Sequence, residues 1–125
     1  MRQSLEHNAQ VALFQWAALE QRRLPELAML FAVPNAARRT PRQGAWMKQE
    51  GLKAGCPDIF LPVSHGKHHG MAIEMKAGKN KPTESQRWWH YHLSEQGFHV
   101  VVCYSFDEAR IEIERYLAQP RLELR

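Results

Sequence analysis

Apolar residues recur at helical spacing near both ends of the chain. Over Leu5–Gln21 they fall every three or four positions, which predicts an α-helix with one buried face. A capping box at Ser105–Glu108 predicts a second helix that runs to about Ala118 and stops before Pro120. The buried stripe expected on this helix is Ala109, Ile113, Tyr116 and Leu117.

Between these helices, three segments have the pattern of β-strands. Pro57–Val63 and Met71–Ala77 carry apolar residues at odd positions, so the odd-numbered side chains are expected to face the core. Phe98–Tyr104 is rich in β-branched and aromatic residues and predicts a third strand. The apolar run Leu27–Val33 fits either a buried strand or a short helix, and we expect a strand after one helical turn.

The remaining segments complete the predicted order of elements. A capping box at Thr83–Gln86 begins a helix that runs to about Glu95. Three glycines in Ala36–Gly55 predict a loop, with a short helix over about Ala45–Glu50. The order is helix, strand, loop, two strands, helix, strand and helix, which predicts an α/β fold with helices packed on a mixed sheet.

Composition narrows the class of protein. The 125 residues are expected to form one domain, 1–125, and 44% hydrophobic residues argue against a disordered chain. Seventeen Lys and Arg against 13 Asp and Glu give a net charge of +4, a weak indication of a polyanionic partner. Two cysteines exclude a disulfide framework. No apolar run is long enough to span a bilayer and no secretory signal is visible, so we expect an intracellular protein with no membrane association.

The two adjacent predicted strands place acidic and basic residues together. If they form an antiparallel hairpin turning around Lys67, Asp58 lies opposite Lys76 and Phe60 opposite Glu74. The two acids and Lys76 are even-numbered and share the face away from the core. Such a group suits a hard divalent cation, with the lysine acting on a water or on a phosphate. The alternative is a surface face with ordinary cross-strand ion pairs.

The same residues carry a resemblance to a known family. Gly55-x-Pro57-Asp58, followed after a gap of fifteen residues by Glu74-x-Lys76, resembles the signature of the PD-(D/E)XK nucleases. More narrowly, the ordered motifs are similar to those of the VRR-NUC (virus-type replication-repair nuclease) family from about Glu6 to Leu117. These motifs are Pro34-Asn35, Glu50–Asp58, Gly70–Lys76, Thr83-x-x-Gln86 and the segment from Gly97 onward.

The resemblance implies a fold, a reaction and a metal site. The fold is the PD-(D/E)XK nuclease fold, a mixed β-sheet core flanked by helices. The reaction is metal-dependent hydrolysis of phosphodiester bonds in DNA, with Mg²⁺ (or Mn²⁺) as cofactor. The implied metal ligands are Asp58, Glu74 and the carbonyl of Met75, and Lys76 is the implied catalytic lysine.

Two further residues match family positions, each with a structural alternative. Gln86 resembles the helix glutamine near the active site, and it is also the capping partner of Thr83. Glu6 best matches the acid of the first helix, with Glu20 as a rival at its far end. An acid near a helix N-terminus is also favoured by the helix dipole alone.

Basic residues flank the predicted acidic site and are candidate contacts to DNA phosphates, although each could equally be a solvated charge. They are Arg38, Arg39, Arg42, Lys53, Lys79 and Lys81.

The resemblance also bears on substrate and assembly. Stand-alone members of the family resemble dimeric junction-cleaving enzymes, which implies a homodimer acting on branched DNA, such as four-way Holliday junctions, in DNA repair. The expected location is the cytoplasm of a bacterial or phage-infected cell. The alternative is a non-catalytic DNA-binding module that retains the nuclease fold, and a third possibility is an interaction domain without DNA affinity.

Three other features are expected to be structural. The turn containing His65, His68 and His69 has no fixed fourth metal ligand, and Cys56 has no acid–base partner in sequence. The aromatic group on the third helix is expected to be partly core rather than a platform for bases. It comprises Trp88, Trp89, Tyr91 and His92.

Overall fold

Four helices and four strands make up the chain in a computed structural model that describes residues 2–34 and 40–121. The helices are α1 (Arg2–Leu19), α2 (Pro41–Gln49), α3 (Glu84–Glu95) and α4 (Phe106–Ala118). The strands are β1 (Phe31–Ala32), β2 (Ile59–Leu61), β3 (Gly70–Met75) and β4 (Phe98–Cys103), and a 3₁₀ turn (Pro25–Met29) precedes β1.

The strands form one mixed sheet in the order β1-β2-β3-β4. β1 and β2 pair antiparallel, as do β2 and β3, while β3 and β4 run parallel across the connection through α3. The predicted α/β fold with a mixed sheet is therefore confirmed. Within the described ranges, no helix combines the length and the apolar character that a bilayer span requires.

The predicted core face of the sheet is confirmed. The odd-numbered residues of β2 and β3 are buried in one hydrophobic cluster with residues of α1 and α4. All four residues of the expected stripe on α4 are buried in it. The face of β3 that carries its even-numbered residues is also covered, so that neither Ala72 nor the acidic Glu74 is accessible to solvent. Because β3 is buried on both faces, the alternation of apolar and polar residues in its sequence predicts less burial than the structure has.

The hairpin between β2 and β3 has a different register from the predicted one. The pairs are Ile59 with Ile73, Phe60 with Ala72, and Leu61 with Met71. These pairs are centred on Gly66 rather than on Lys67. Gly66 has a φ of +59°, a left-handed conformation that glycine adopts at little cost.

This register changes which residues are neighbours. The prediction of Asp58 opposite Lys76 is wrong by two positions, and continuing the observed ladder places Asp58 opposite Glu74 instead. Because side chains alternate with a period of two, a shift of two leaves every residue on its predicted face. Asp58, Glu74 and Lys76 therefore still share one face, but the two carboxylates become direct cross-strand neighbours.

The segment predicted as a loop with a short helix contains a longer helix. α2 begins at Pro41, four residues before the predicted start, because Thr40 and Gln43 form a reciprocal capping box. Proline at the first helical position adds to this start signal, which is readable in the sequence. The expected strand after a helical turn is present as β1, but both of its residues are exposed rather than buried.

Candidate active site

Two carboxylates meet where β2 begins and β3 ends. Asp58 lies directly before β2, and its Oδ2 accepts a hydrogen bond from the backbone N–H of Met75 at 2.7 Å. The carbonyl of Asp58 accepts from the N–H of Val33 at 2.8 Å, which ties the same residue to the segment after β1. Glu74 lies across the ladder and is only 1% exposed. The backbone on both sides therefore fixes the position of Asp58 beside a buried glutamate.

Helix α3 holds the carboxylate of Glu74 through two side chains. Nε2 of Gln86 donates to Oε2 at 3.3 Å, and the Nε2 of His90 lies 3.2 Å from Oε1. The Oε1 of Gln86 accepts at the same time from the N–H of Thr83 at 2.8 Å, closing the capping box. The two roles considered for Gln86 therefore coexist in one amide, which caps the helix with its oxygen and contacts Glu74 with its nitrogen.

The pKa values show how strongly these groups interact. Burial, together with the hydrogen bond and the charge of Asp58, raises the pKa of Glu74 to about 9. Burial lowers the pKa of His90, and the charge of Lys76 lowers it further. Without a cation between them, the two carboxyl groups therefore retain a proton at neutral pH.

Glu6 and Lys76 approach the same buried carboxylate from different elements. The charge of Lys76, which follows β3, lowers the pKa of Glu74, while the charge of Glu6 on α1 raises it. Glu6 is half-buried. Its rival Glu20 pairs instead with Arg23 at 2.9 Å, at the other end of α1. Of the two acids, the structure places Glu6 near the site.

The donor set fits a hard divalent cation. Carboxylate and carbonyl oxygens are the ligands that Mg²⁺ and Mn²⁺ take, and two opposed carboxylates that retain a proton are a site where a cation replaces that proton. No group of three or more His, Cys, Asp or Glu side chains converges among the residues that the structure describes. The protein would thus supply part of the ligand shell, which is common for Mg²⁺ because this ion keeps several waters.

A cleft of about 570 Å³ opens onto this site. Asp58 and Gln86 line it, together with the exposed Lys48 and Lys53. Lys48 was not predicted as a site residue. Lys48 follows Gly44, which also lines the cleft, by four residues, so both lie on one face of α2. The sequence signal was therefore the helix itself, which the prediction began too late.

The other basic residues predicted to bind phosphate are placed differently. Arg42 is exposed on α2 beside Trp46, outside the set that lines the cleft. Lys79 and Lys81 are exposed in the segment after β3 and also do not line it. Arg38 and Arg39 lie outside the described residues, as does Asn35.

Close packing against α3 holds the wall of the cleft in place. Gly55 has a φ of +85°, and a Cβ atom there would lie 2.7 Å from the backbone carbon of Ser85. The indole N–H of Trp89 donates to the carbonyl of Ala54 at 3.0 Å. Glycine is therefore required at this position for two reasons, its backbone conformation and the approach of the helix.

His90 is the contact that the sequence analysis missed. It follows Gln86 by four residues, so both lie on one face of α3, and that spacing was an available signal.

The expectation for the aromatic residues on this helix needs correction. None of them is fully buried, Trp89 is half-buried, and Trp88 and Tyr91 are 56% and 62% exposed.

The histidine turn and Cys56 have structural surroundings. The ring of His65 is buried and lies within hydrogen-bond distance of the Glu26 carboxylate and the Gln119 carbonyl, whereas His69 is exposed. The three histidines of the turn therefore do not converge on one point.

Burial raises the pKa of the Cys56 thiol, and the charges of Glu74 and Asp58 raise it further. A thiol kept protonated in this way is a poor nucleophile.

Comparison with known proteins identifies the fold and the family of the chain. A solved structure described as a VRR_NUC domain protein matches with a TM-score of 0.79 and 24% sequence identity, covering 95% of this chain and 93% of that chain, which shows that the fold is shared. No curated protein matches the chain. The sequence model of the VRR-NUC domain matches residues 1–107. The chain therefore belongs to the VRR-NUC domain family, which is a family of PD-(D/E)XK-type nucleases.

Proposed function

We propose that this protein is a metal-dependent deoxyribonuclease that hydrolyses phosphodiester bonds by attack of water. The observation that carries the proposal is the buried Glu74 carboxylate, held beside Asp58 with the charge of Lys76 close by. A member of the family that lacked these three side chains could be a degenerate, non-catalytic domain. This chain has all three, so it has carboxylates that can bind a metal and a lysine that can contact a phosphate.

Each residue of the site has a proposed task. Asp58, Glu74 and the carbonyl of Met75 would hold Mg²⁺ (or Mn²⁺), and the bound ion would stabilise negative charge that develops on the phosphate. The ammonium group of Lys76 stabilises the same charge or orients the attacking water. Glu6 accepts a hydrogen bond from water at the site.

The cleft provides the proposed path of the DNA backbone. Lys48 and Lys53 line it and leave their ammonium groups accessible to phosphate. The remaining candidates are proposed to extend this surface outside the cleft. They are Arg42, Lys79 and Lys81. Arg38 and Arg39, which lie outside the described residues, are proposed as phosphate contacts from the sequence alone. Contacts of this kind position DNA without reading its sequence, so specificity would come from DNA shape.

We further propose that the protein works as a homodimer on branched DNA such as four-way junctions. The whole chain, 1–125, would form one nuclease domain, since α4 packs into the same core as the sheet. So small a domain has little surface with which to hold a branched substrate, and two-fold pairing supplies two sites at a fixed separation. Trp88 and Tyr91 project apolar surface from α3 that a partner copy could cover.

The proposed location is the cytoplasm of a bacterial or phage-infected cell. Cys56 and Cys103 are both free thiols. Unpaired cysteines are typical of a reducing compartment.

We expect cleavage of DNA to require a divalent metal and the three motif residues. Asp58→Asn, Glu74→Gln and Lys76→Met should each lower the cleavage rate by about 100-fold or more, and excess EDTA should abolish cleavage. Linear, flapped and four-way-junction DNA are the substrates to compare, with Mg²⁺ and without. Asp107→Asn and Lys67→Met, in an exposed helix start and a distant turn, are the matched controls and should retain the rate. Equal cleavage in EDTA would refute the metal site, and tight DNA binding without cleavage would favour the non-catalytic module.

We expect metal binding to release a proton at neutral pH. Glu74 is protonated in the metal-free protein up to its pKa of about 9, but a metal ligand must be ionised. Calorimetric titration with Mn²⁺ at pH 7, in buffers of different ionisation enthalpy, should detect about one proton released per ion, falling towards none above pH 9. In the absence of metal, the contribution of Glu74 to folding stability is fully present below its unfolded pKa and is lost as pH rises through about 9. Glu74→Gln should abolish both effects, and buffer-independent heats for the native protein would contradict the assignment.

The cleft lysines should account for part of the salt dependence of DNA binding. Replacing both Lys48 and Lys53 by Gln should reduce the slope of log affinity against log salt by about 2 on duplex DNA, since each phosphate contact contributes about 0.9. Fluorescence anisotropy in Ca²⁺, over a range of salt concentrations, measures this slope. The matched control replaces Lys67 and Arg22, which are exposed far from the cleft. If the two double variants give the same slope, the DNA follows another path.

Light scattering tests the dimer directly. We expect a mass of twice the 14.6 kDa of one chain at micromolar concentration. Replacing Trp88 and Tyr91 by Ser should shift the mass towards that of one chain if α3 forms the interface. A single-chain mass for the native protein, with full activity on junctions at the same concentration, would exclude a dimeric working unit.

A further inference from the structure

The carboxylate of Glu74 is held at both oxygens from one helix. Gln86 contacts Oε2 and His90 contacts Oε1, at 3.3 and 3.2 Å. The position of Gln86 is already explained by its motif, whereas nothing in the motifs requires a histidine one turn later. We propose that His90 is a positioning residue that orients the Glu74 carboxylate for metal binding. This inference rests on the proposed function of the same site.

The geometry gives His90 a task that Gln86 alone does not perform. The terminal torsion of a glutamate has a broad energy profile, so one hydrogen bond leaves the carboxylate plane free to turn. Two contacts from α3, one at each oxygen, fix that plane, and both groups are donors when Glu74 is ionised. The side chain of His90 is only 15% exposed, so water competes little for its contact with Glu74. Each carboxylate oxygen has a second lone pair, which remains available for a metal.

The position of the imidazole is itself well determined. The capping box of Thr83 and Gln86 fixes the start of α3. The residue before His90, Trp89, is anchored through its indole N–H to the carbonyl of Ala54. The helix therefore has two anchors within the seven residues before His90, and the ring of His90 is placed by the helix rather than by the metal.

The chemistry of the donor is also informative. An imidazole and an amide are donors without a permanent charge, so they orient the carboxylate and leave its negative charge for the cation. A lysine or arginine in the same place would form an ion pair with Glu74 and compete with the metal. His90 is not itself placed as a ligand, because its Nε2 faces Oε1 of Glu74 at 3.2 Å. Its effect would be exerted through Glu74, as outer contacts orient metal ligands elsewhere.

The test is Mn²⁺ affinity, measured by calorimetry on four variants and the native protein. His90→Leu should weaken Mn²⁺ binding by about 10- to 100-fold, the usual effect of removing an outer contact to a metal ligand. His90→Gln, which keeps an uncharged donor, should restore most of the affinity, whereas His90→Lys should not. His92→Leu is the matched control, since His92 is exposed on the same helix and its ring packs at a tilt against Trp88, at a centroid distance of 4.3 Å. It should bind Mn²⁺ like the native protein.

Cleavage kinetics and folding provide the second readout. At limiting Mn²⁺, His90→Leu should have a reduced kcat and an unchanged KM for DNA, and saturating Mn²⁺ should recover kcat. Thermal unfolding in EDTA separates this from a purely structural role, which would lower Tm without changing the affinity of the folded protein. If His90→Leu does not fold, the comparison of His90→Gln with His90→Lys still decides the question. Native affinity in His90→Leu, or equal affinity in the Gln and Lys variants, would overturn the inference, whereas failure of the native protein to bind Mn²⁺ would overturn the proposed function.

Discussion

The burial of the Glu74 carboxylate beside Asp58 is the interaction on which the rest of the site depends. An ionised carboxylate is costly to remove from water, and a second one next to it adds repulsion. The pKa of Glu74 is raised to about 9, and two side chains of α3 contact its carboxyl oxygens. An apolar residue at this position near the end of β3 would be easier to bury. Retaining an acid there is a physical indication of function, because perturbed titratable groups concentrate at functional sites.

Separate elements bring the site together, and each is fixed by backbone contacts remote from the chemistry. The ladder between β2 and β3 places Asp58 opposite Glu74, with the Met75 N–H locking the Asp58 side chain. The capping box at the start of α3 aims Gln86 at the same carboxylate. Gly55 lets the segment before β2 approach that helix closely enough to form the wall of the cleft. The precision of the site therefore comes from rigid elements rather than from its own side chains.

Electrostatics divides the surface of the site into two parts. Glu74 is buried and Asp58 is partly buried, whereas Lys48 and Lys53, which line the cleft together with Asp58, are exposed. Exposed cations attract a polyanion at long range, which suits the proposed DNA substrate.

The sequence by itself determined the order of the elements and the core face of the hairpin, because hydrophobic periodicity and capping boxes are local signals. Its motif Asp58, Glu74-x-Lys76 also indicated the candidate acidic site. It did not determine the hairpin register, since side-chain alternation is unchanged by a shift of two residues and the position of Gly66 in the turn decides between them. It also did not reveal His90 as a partner of Glu74. That contact joins residues sixteen positions apart and exists only because α3 packs over the even face of β3. Periodicity is a property of each segment alone, whereas register and contacts between segments depend on how the segments pack, and only the tertiary structure decides that.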